Sequence, residues 1–114
     1  MRYAVLIYER PGAYDRFSDD ERRAVSAEYL ELARDGRVVG GAQLQGLETA
    51  TTVRVQDGQS LITDGPFADT KEVFGGFYLI EAADLDAALG FAARIPATRL
   101  GGCVEVRPLV EPAP

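Results

Sequence analysis

The opening segment of the chain is apolar at consecutive positions, and this pattern restricts the fold more than any other feature. The run from Tyr3 to Tyr8 is rich in β-forming residues and is too short for a typical helix. A strand with this pattern is normally covered on both of its faces. Arg10-Pro11-Gly12 then ends the segment. The fold must therefore place a layer on each side of a central strand.

Two helices are marked by their capping residues. Ser18 and Glu21 have the spacing of a capping box, so a first helix begins there and ends before Asp35-Gly36. Asp84 predicts the N-cap of a second helix, which Pro96 ends. The expected buried stripe of that helix contains five apolar residues: Leu85, Ala88, Leu89, Ala92 and Ile95.

The remaining strands predict the order of the fold. Strands are expected at residues 38–44, 74–81 and 103–109, and Gly40-Gly41 in the first of them predicts a bulge or a close backbone approach. Asp57-Gly58 lies between two β-rich runs and predicts a type I′ hairpin. With this hairpin as an insertion, the order is that of a ferredoxin-like split βαβ fold of the α+β class. Both helices then cover one face of an antiparallel sheet.

The second face of this sheet needs a cover that the chain itself does not supply. Neighbouring positions such as Leu79 and Ile80 are both apolar, so both faces of the sheet are apolar. A second copy of the chain is the simplest cover, because it would pair two such faces. We therefore expect a homodimeric α/β barrel built from one domain at residues 1–110, followed by a short tail at 111–114.

Composition excludes several classes of function. The 12 Lys and Arg residues against 18 Asp and Glu give a net charge of −6, which disfavours direct nucleic-acid binding and a polybasic membrane anchor. No apolar stretch approaches the ~20 residues that cross a bilayer. The chain has no histidine and one cysteine, so we expect no metal and no cofactor. The absence of a signal peptide and of a possible internal disulfide favours a cytoplasmic protein.

The segment at 63–72, Thr-Asp-Gly-Pro-Phe-Ala-Asp-Thr-Lys-Glu, is the most distinctive part of the sequence. Together with Gly-Gly-Phe-Tyr at 75–78 and Val-Glu-Val-Arg-Pro at 104–108, it closely resembles the DGPF branch of the YCII-related family. The resemblance extends over nearly the whole chain. It implies a dimeric barrel of ferredoxin-like units, in agreement with the pattern of strands and helices.

Three functions are compatible with this resemblance. The first is an uncharacterised small-molecule-binding dimer with a cleft near the 64–72 loop. The second is a cofactor-free lyase or isomerase that acts on a small anionic or aromatic substrate, since a related YCII member is described as dehydrochlorinating. The third is an interaction module, because DGPF proteins are often associated with extracytoplasmic-function sigma factors. Some YCII relatives carry a His-Asp pair, whereas this chain has no histidine and has Leu100 where DGPF relatives commonly show one.

The 64–72 loop supplies the first candidate site residues. Asp64 is the candidate catalytic base, although an Asp before Gly-Pro can equally fix the turn by bonding backbone N–H groups. Lys71 would hold an anionic ligand or would pair with a neighbouring carboxylate. Gly65 and Pro66 are interpreted as residues that shape the loop. Phe67 would cap a cleft or, as we favour, anchor the loop in a second subunit.

Five further residues are candidate ligand contacts in strands or beside them. Glu72 and Arg107 could line a cleft as part of an ion-pair network, or could face water or a second subunit. The other three are polar groups in predicted strands, where a buried hydroxyl or amide needs a partner. These are Tyr8, Gln43 and Tyr78, and packing in the core or at an interface is the alternative for each.

Overall fold

The chain forms six strands and two helices, and the computed structural model describes residues 1–111. The strands are β1 (Arg2–Glu9), β2 (Val38–Gln43), β3 (Thr51–Gln56), β4 (Gln59–Asp64), β5 (Val73–Glu81) and β6 (Cys103–Pro108). The helices are α1 (Asp19–Ala33) and α2 (Leu85–Ala92). Two short 3₁₀ turns lie at Leu47–Thr49 and Pro96–Thr98. Three residues of the expected tail, 112–114, lie outside the described part of the chain.

Four strands form the main sheet in the order β2-β5-β1-β6, and every neighbouring pair is antiparallel. The two central strands, β1 and β5, are thus separated in sequence by a helix and by three other strands. This is the ferredoxin-like order that the sequence predicted. The capping box of α1 is also present, since the Glu21 N–H donates to Ser18 Oγ and the Ser18 N–H donates to Glu21 Oε1, each at 3.1 Å.

Strands β3 and β4 form the predicted hairpin as a separate two-stranded sheet. Asp57 and Gly58 have φ values of 52° and 78°, as a type I′ turn requires. At the other end of the hairpin, the Gly65 N–H donates to the Ala50 carbonyl at 2.8 Å and Thr52 Oγ1 donates to the Gly65 carbonyl at 2.7 Å. The hairpin is therefore closed at both ends, outside the main sheet.

The core lies between one face of the main sheet and the two helices. Alternate residues of β1, namely Tyr3, Val5 and Ile7, are buried on this face. The expected stripe of α2 is partly wrong, because Leu85 and Leu89 are 49% and 46% exposed. The face of α2 that meets the sheet is rotated and contains Ala88, Phe91 and Ala92, and the buried Ile95 follows just beyond the helix. The ring of Phe91 packs edge-on against an aromatic ring of β5.

The opposite face of the main sheet is apolar and is covered by neither helix. Tyr8 and Phe74 pack on it with ring centroids 5.5 Å apart, and Leu6 lies opposite Phe77 in the register. We call this surface the open face. Its central residues are Ala4, Leu6, Tyr8, Phe74, Phe77 and Leu79.

Asp35 connects the end of α1 to two other elements. Its carboxylate accepts hydrogen bonds from Arg37 Nε at 3.0 Å and from Arg37 Nη2 at 2.9 Å, and it also accepts one from Arg94 at 3.4 Å. The hydrogen bonds from Arg37 hold the pKa of Asp35 well below its ordinary value. The ionised carboxylate thus connects the turn between α1 and β2 to the segment that follows α2.

We expect Asp35→Asn to lower the free energy of unfolding by about 1–2 kcal/mol at neutral pH. Because the pKa of Asp35 is lowered by folding, its contribution is complete above the unfolded pKa of about 3.9 and is lost as the pH falls through the folded value. Urea unfolding of both proteins at pH 7 and at about pH 2.5 should show a difference that shrinks in acid. Asp20→Asn, in the exposed Asp20–Arg23 pair, is the control and should have a smaller effect.

Candidate functional site

A cleft of about 470 Å³ lies between α1 and the β2–β5 half of the main sheet. Helix α1 buries only Val25 and Leu32 almost completely. Its next row of side chains borders this cleft, and one of them, Tyr29, also packs against the core. The volume falls within the range of about 300–1,000 Å³ typical of small-molecule sites. We call it the α1 cleft, and it is lined by Ile7, Glu9, Ser26, Tyr29, Leu30, Ala33, Gly41, Ala42, Gln43, Gly75, Gly76, Phe77 and Tyr78.

Glycine backbone forms much of the floor of the α1 cleft. A Cβ atom on Gly76 would lie 2.8 Å from the Ala42 carbonyl oxygen, and one on Gly41 would lie 2.5 Å from the Phe77 carbonyl oxygen. Gly41 also has a φ of 151°, which disfavours other residues. The close approach predicted at the glycine pair in β2 is therefore found between β2 and β5. Neither glycine adds a side chain to the lining of the cleft.

Glu9 supplies the only charged side chain among the residues that line the α1 cleft. The Tyr14 hydroxyl donates to Glu9 Oε1 at 3.2 Å. The other carboxylate oxygen, Oε2, lies beside Gly75, where a Cβ atom would be 3.3 Å away. Gly75 is the extra residue of a β-bulge, because Ile7 pairs with Gly76 whereas Tyr8 pairs with Phe74. The bulge thus places a residue without a side chain next to the carboxylate.

Three tyrosines surround this end of the α1 cleft. Burial and the neighbouring charge of Glu9 raise the pKa of Tyr14 to about 12. Burial also raises the pKa of Tyr29, and the Tyr29 hydroxyl is buried without a hydrogen-bond partner among the described residues. The Tyr78 hydroxyl donates to the Tyr29 carbonyl at 3.0 Å, and burial raises the pKa of Tyr78. All three phenols are consequently protonated near neutral pH.

The structure brings only two of the sequence-predicted site residues into the α1 cleft, Gln43 and Tyr78. Tyr78 also packs edge-on against Phe91, with ring centroids 5.6 Å apart, so it contributes to both the core and the cleft. Tyr8 belongs to the open face, on the other side of the sheet. Arg107 pairs with Ala4 in the register and is exposed on that same side.

The 64–72 loop does not line the α1 cleft, although the sequence predicted a cleft near it. Asp64 ends β4 and is exposed, and within residues 1–111 its carboxylate accepts no hydrogen bond. Lys71 is exposed and Glu72 is half-buried, and neither forms a salt bridge within the described chain. Phe67 is 77% exposed, next to Gly65 and Pro66. Gly65 has a φ of 100°, which supports its interpretation as a residue that shapes the turn.

Sequence reasoning missed Glu9, Tyr14 and Tyr29. Glu9 ends the most apolar strand of the chain, and glycine pairs lie in both β2 and β5. A carboxylate at a strand end, opposite neighbouring glycines, is a signal that could have been found. Tyr29 lies on the predicted helix α1, and the sequence alone does not indicate that it borders a cleft as well as packing against the core.

No group of three or more Cys, Asp or Glu side chains within residues 1–111 has a geometry that could hold a metal ion. No helix in this range is long and apolar enough to span a membrane.

The fold and the α1 cleft together define a small ferredoxin-like α+β protein with a cavity of ligand size. The chain belongs to the family of YCII-related domains, which it matches over residues 1–112. It is 42% identical to an uncharacterised protein of Rhizobium meliloti, over 96% of this chain and 92% of that protein.

A solved structure also has the same fold. It is 5-chloro-2-hydroxyhydroquinone dehydrochlorinase (TftG) from Burkholderia phenoliruptrix AC1100, in complex with 2,5-dihydroxybenzoquinone. The TM-score is 0.55 at 20% identity, over 98% of this chain and 96% of that chain. At this level of identity the likeness concerns the fold alone.

We expect Glu9→Gln to lower the pKa of Tyr14 from about 12 toward the ordinary value. The variant removes a negative charge that opposes ionisation of the phenol, whereas the effect of burial remains. Titration of ring-labelled tyrosine by NMR measures this pKa directly. Glu31→Gln, an exposed position on α1, should leave it unchanged, and an unchanged Tyr14 titration in Glu9→Gln would contradict the hydrogen bond between the two residues.

Proposed function

We propose that this protein binds a small organic molecule that is not an anion, and that the α1 cleft is the binding site. The observation that carries this proposal is the pairing of a ligand-sized cavity with one accessible carboxylate, Glu9. Most of the remaining lining is apolar or is backbone of β2 and β5. A site of this kind fits a mostly apolar ligand that has one or a few polar groups.

The charge of the lining argues against an anionic ligand. Lys71 and Arg107, the cations expected to hold an anion, do not line the α1 cleft, and Glu9 would repel a negative group placed beside it. The aromatic ligand of the sequence-based hypothesis is retained, because a largely apolar lining that includes Tyr29 and Tyr78 suits an aromatic ring. The solved neighbour of the same fold holds such a ring, 2,5-dihydroxybenzoquinone.

A cofactor-free lyase or isomerase is the second candidate function. The Glu9–Tyr14 hydrogen bond favours it, since a carboxylate held in place by a neighbouring donor is suited to proton transfer. The dehydrochlorinase with the same fold is an example of chemistry on a small ring in this architecture. Association with a sigma factor and a cytoplasmic location stay predictions from sequence.

We expect Ser26→Trp to abolish ligand binding, because a large side chain on this row of α1 would fill the α1 cleft. Thermal shift against a panel of hydroxylated benzenes and benzoquinones, followed by calorimetry for any ligand found, measures the effect. Ala27→Trp is the matched control, since the neighbouring residue is exposed and does not line the cleft. Equal affinities for the two variants and the natural protein would place the ligand elsewhere.

Asp64→Asn distinguishes the α1 cleft from the 64–72 loop in the same assay. The residue is exposed at the end of the hairpin, so we expect its removal to change affinity less than about twofold. A loss of binding in Asp64→Asn with Ser26→Trp unaffected would support the loop as the site.

We also propose that two copies of the chain associate through their open faces. The open face is apolar and is covered by neither helix, and the hairpin adds a second exposed apolar surface. Val53, Val55 and Ile62 are 61%, 72% and 70% exposed on one side of this two-stranded sheet. Edge strand β6 presents Glu105 opposite Leu6 and Arg107 opposite Ala4. A two-fold axis could place Glu105 of each copy beside Arg107 of the other copy. This self-complementary arrangement favours a second copy over an unrelated partner.

Light scattering coupled to size exclusion should give twice 12.3 kDa at micromolar concentration. We expect Leu6→Lys to dissociate the dimer, because it places an ammonium group at the centre of the open face. Leu89→Lys on the exposed side of α2 is the matched control and should remain dimeric. A monomeric natural protein at these concentrations would overturn the proposed association.

A further inference from the structure

We infer that Glu9 is the specificity-determining residue of the α1 cleft, and that it selects a ligand by a protonated, uncharged hydroxyl group. The ligand class is a small planar molecule with a phenolic or enolic O–H, bound in its neutral form. This inference rests on the proposed binding function of the cleft and adds the chemical group that is recognised.

The two oxygens of the Glu9 carboxylate have different surroundings. Oε1 accepts the hydrogen bond from the Tyr14 hydroxyl. Tyr14 is itself held in place, because its ring packs edge-on against Phe17 with centroids 5.5 Å apart and its carbonyl accepts from Arg22 Nη2 at 2.9 Å. The carboxylate is therefore oriented by a fixed donor on one side. Oε2 keeps its capacity to accept a further hydrogen bond.

Gly75 keeps the space beside Oε2 free. A Cβ atom at this position would lie 3.3 Å from Oε2 and 3.4 Å from the carboxyl carbon, so even alanine would crowd the group. The β-bulge at Gly75 brings the backbone of β5 to this point, and the position is part of the cleft lining. The open space beside the unengaged oxygen is thus part of the ligand cavity.

An ionised carboxylate accepts a hydrogen bond from O–H and repels O⁻ at the same place. Since the lining has no cation to offset this repulsion, binding should favour the neutral form of an ionisable phenol.

The probe that tests this inference is 4-nitrophenol, whose ionisation near neutral pH is read from its absorbance. We expect the natural protein to bind the phenol at least about tenfold more tightly than the phenolate, so that binding raises the apparent pKa of the probe by about one unit or more. 4-Nitroanisole, which has no hydroxyl proton, should bind at least about tenfold more weakly than the phenol. This second comparison needs no variant of the protein.

Two substitutions test the roles of the residues. Glu9→Gln should reduce the preference for phenol over phenolate to within about threefold, because the amide does not repel the anion. Gly75→Ala should weaken binding of the phenol at least about fivefold by crowding Oε2. Glu31→Gln, with the same chemical change at an exposed position on α1, should retain the preference.

The outcomes separate this inference from the proposed function. If Ser26→Trp abolishes probe binding while the natural protein binds phenol, phenolate and 4-nitroanisole alike, the α1 cleft is the site and the role of Glu9 is wrong. The same conclusion follows if Glu9→Gln keeps the full preference for the phenol. If Ser26→Trp binds the probe as the natural protein does, the cleft is not the site and both proposals fail.

Discussion

The pairing of β1 with β5 is the constraint on which the rest of this structure depends. Its antiparallel register assigns alternate residues of β1 to the helix-covered core and to the open face. The register shift between Ile7 and Tyr8 then leaves Gly75 unpaired and brings it against Glu9. One pairing therefore positions the core, the surface that needs a cover and the carboxylate of the cleft. A one-residue slip would exchange the two faces.

Most of the fold could be predicted from sequence because its signals are local. Ser18 with Glu21 determines where α1 begins, and Asp57-Gly58 admits few alternatives to a two-residue turn. The orientation of α2 was harder to predict from the sequence. The two possible apolar stripes share Ala88, Ala92 and Ile95, and they differ in whether Phe91 is buried. Periodicity cannot decide between stripes that differ by so small a rotation.

The candidate site could be predicted only in part, because it depends on where α1 lies over the sheet. Gln43 and Tyr78 were found as polar residues in apolar strands, whereas Glu9 became a site residue through the bulge and the gap under α1. The prediction of Asp64 as a site residue rests on the unusual composition of the loop around it. Unusual composition reflects the demands of a turn as readily as those of chemistry, and Gly65 with its positive φ is an example.

The separate hairpin sheet has a consequence for how such a chain can diverge. Strands β3 and β4 pair only with each other, and no residue of the hairpin lines the α1 cleft. The exposed row of Val53, Val55 and Ile62 therefore lies outside the sheet that contains β1 and β5. Mutation of the hairpin surface can thus change the outer contacts of the protein without replacing any residue of the cleft lining.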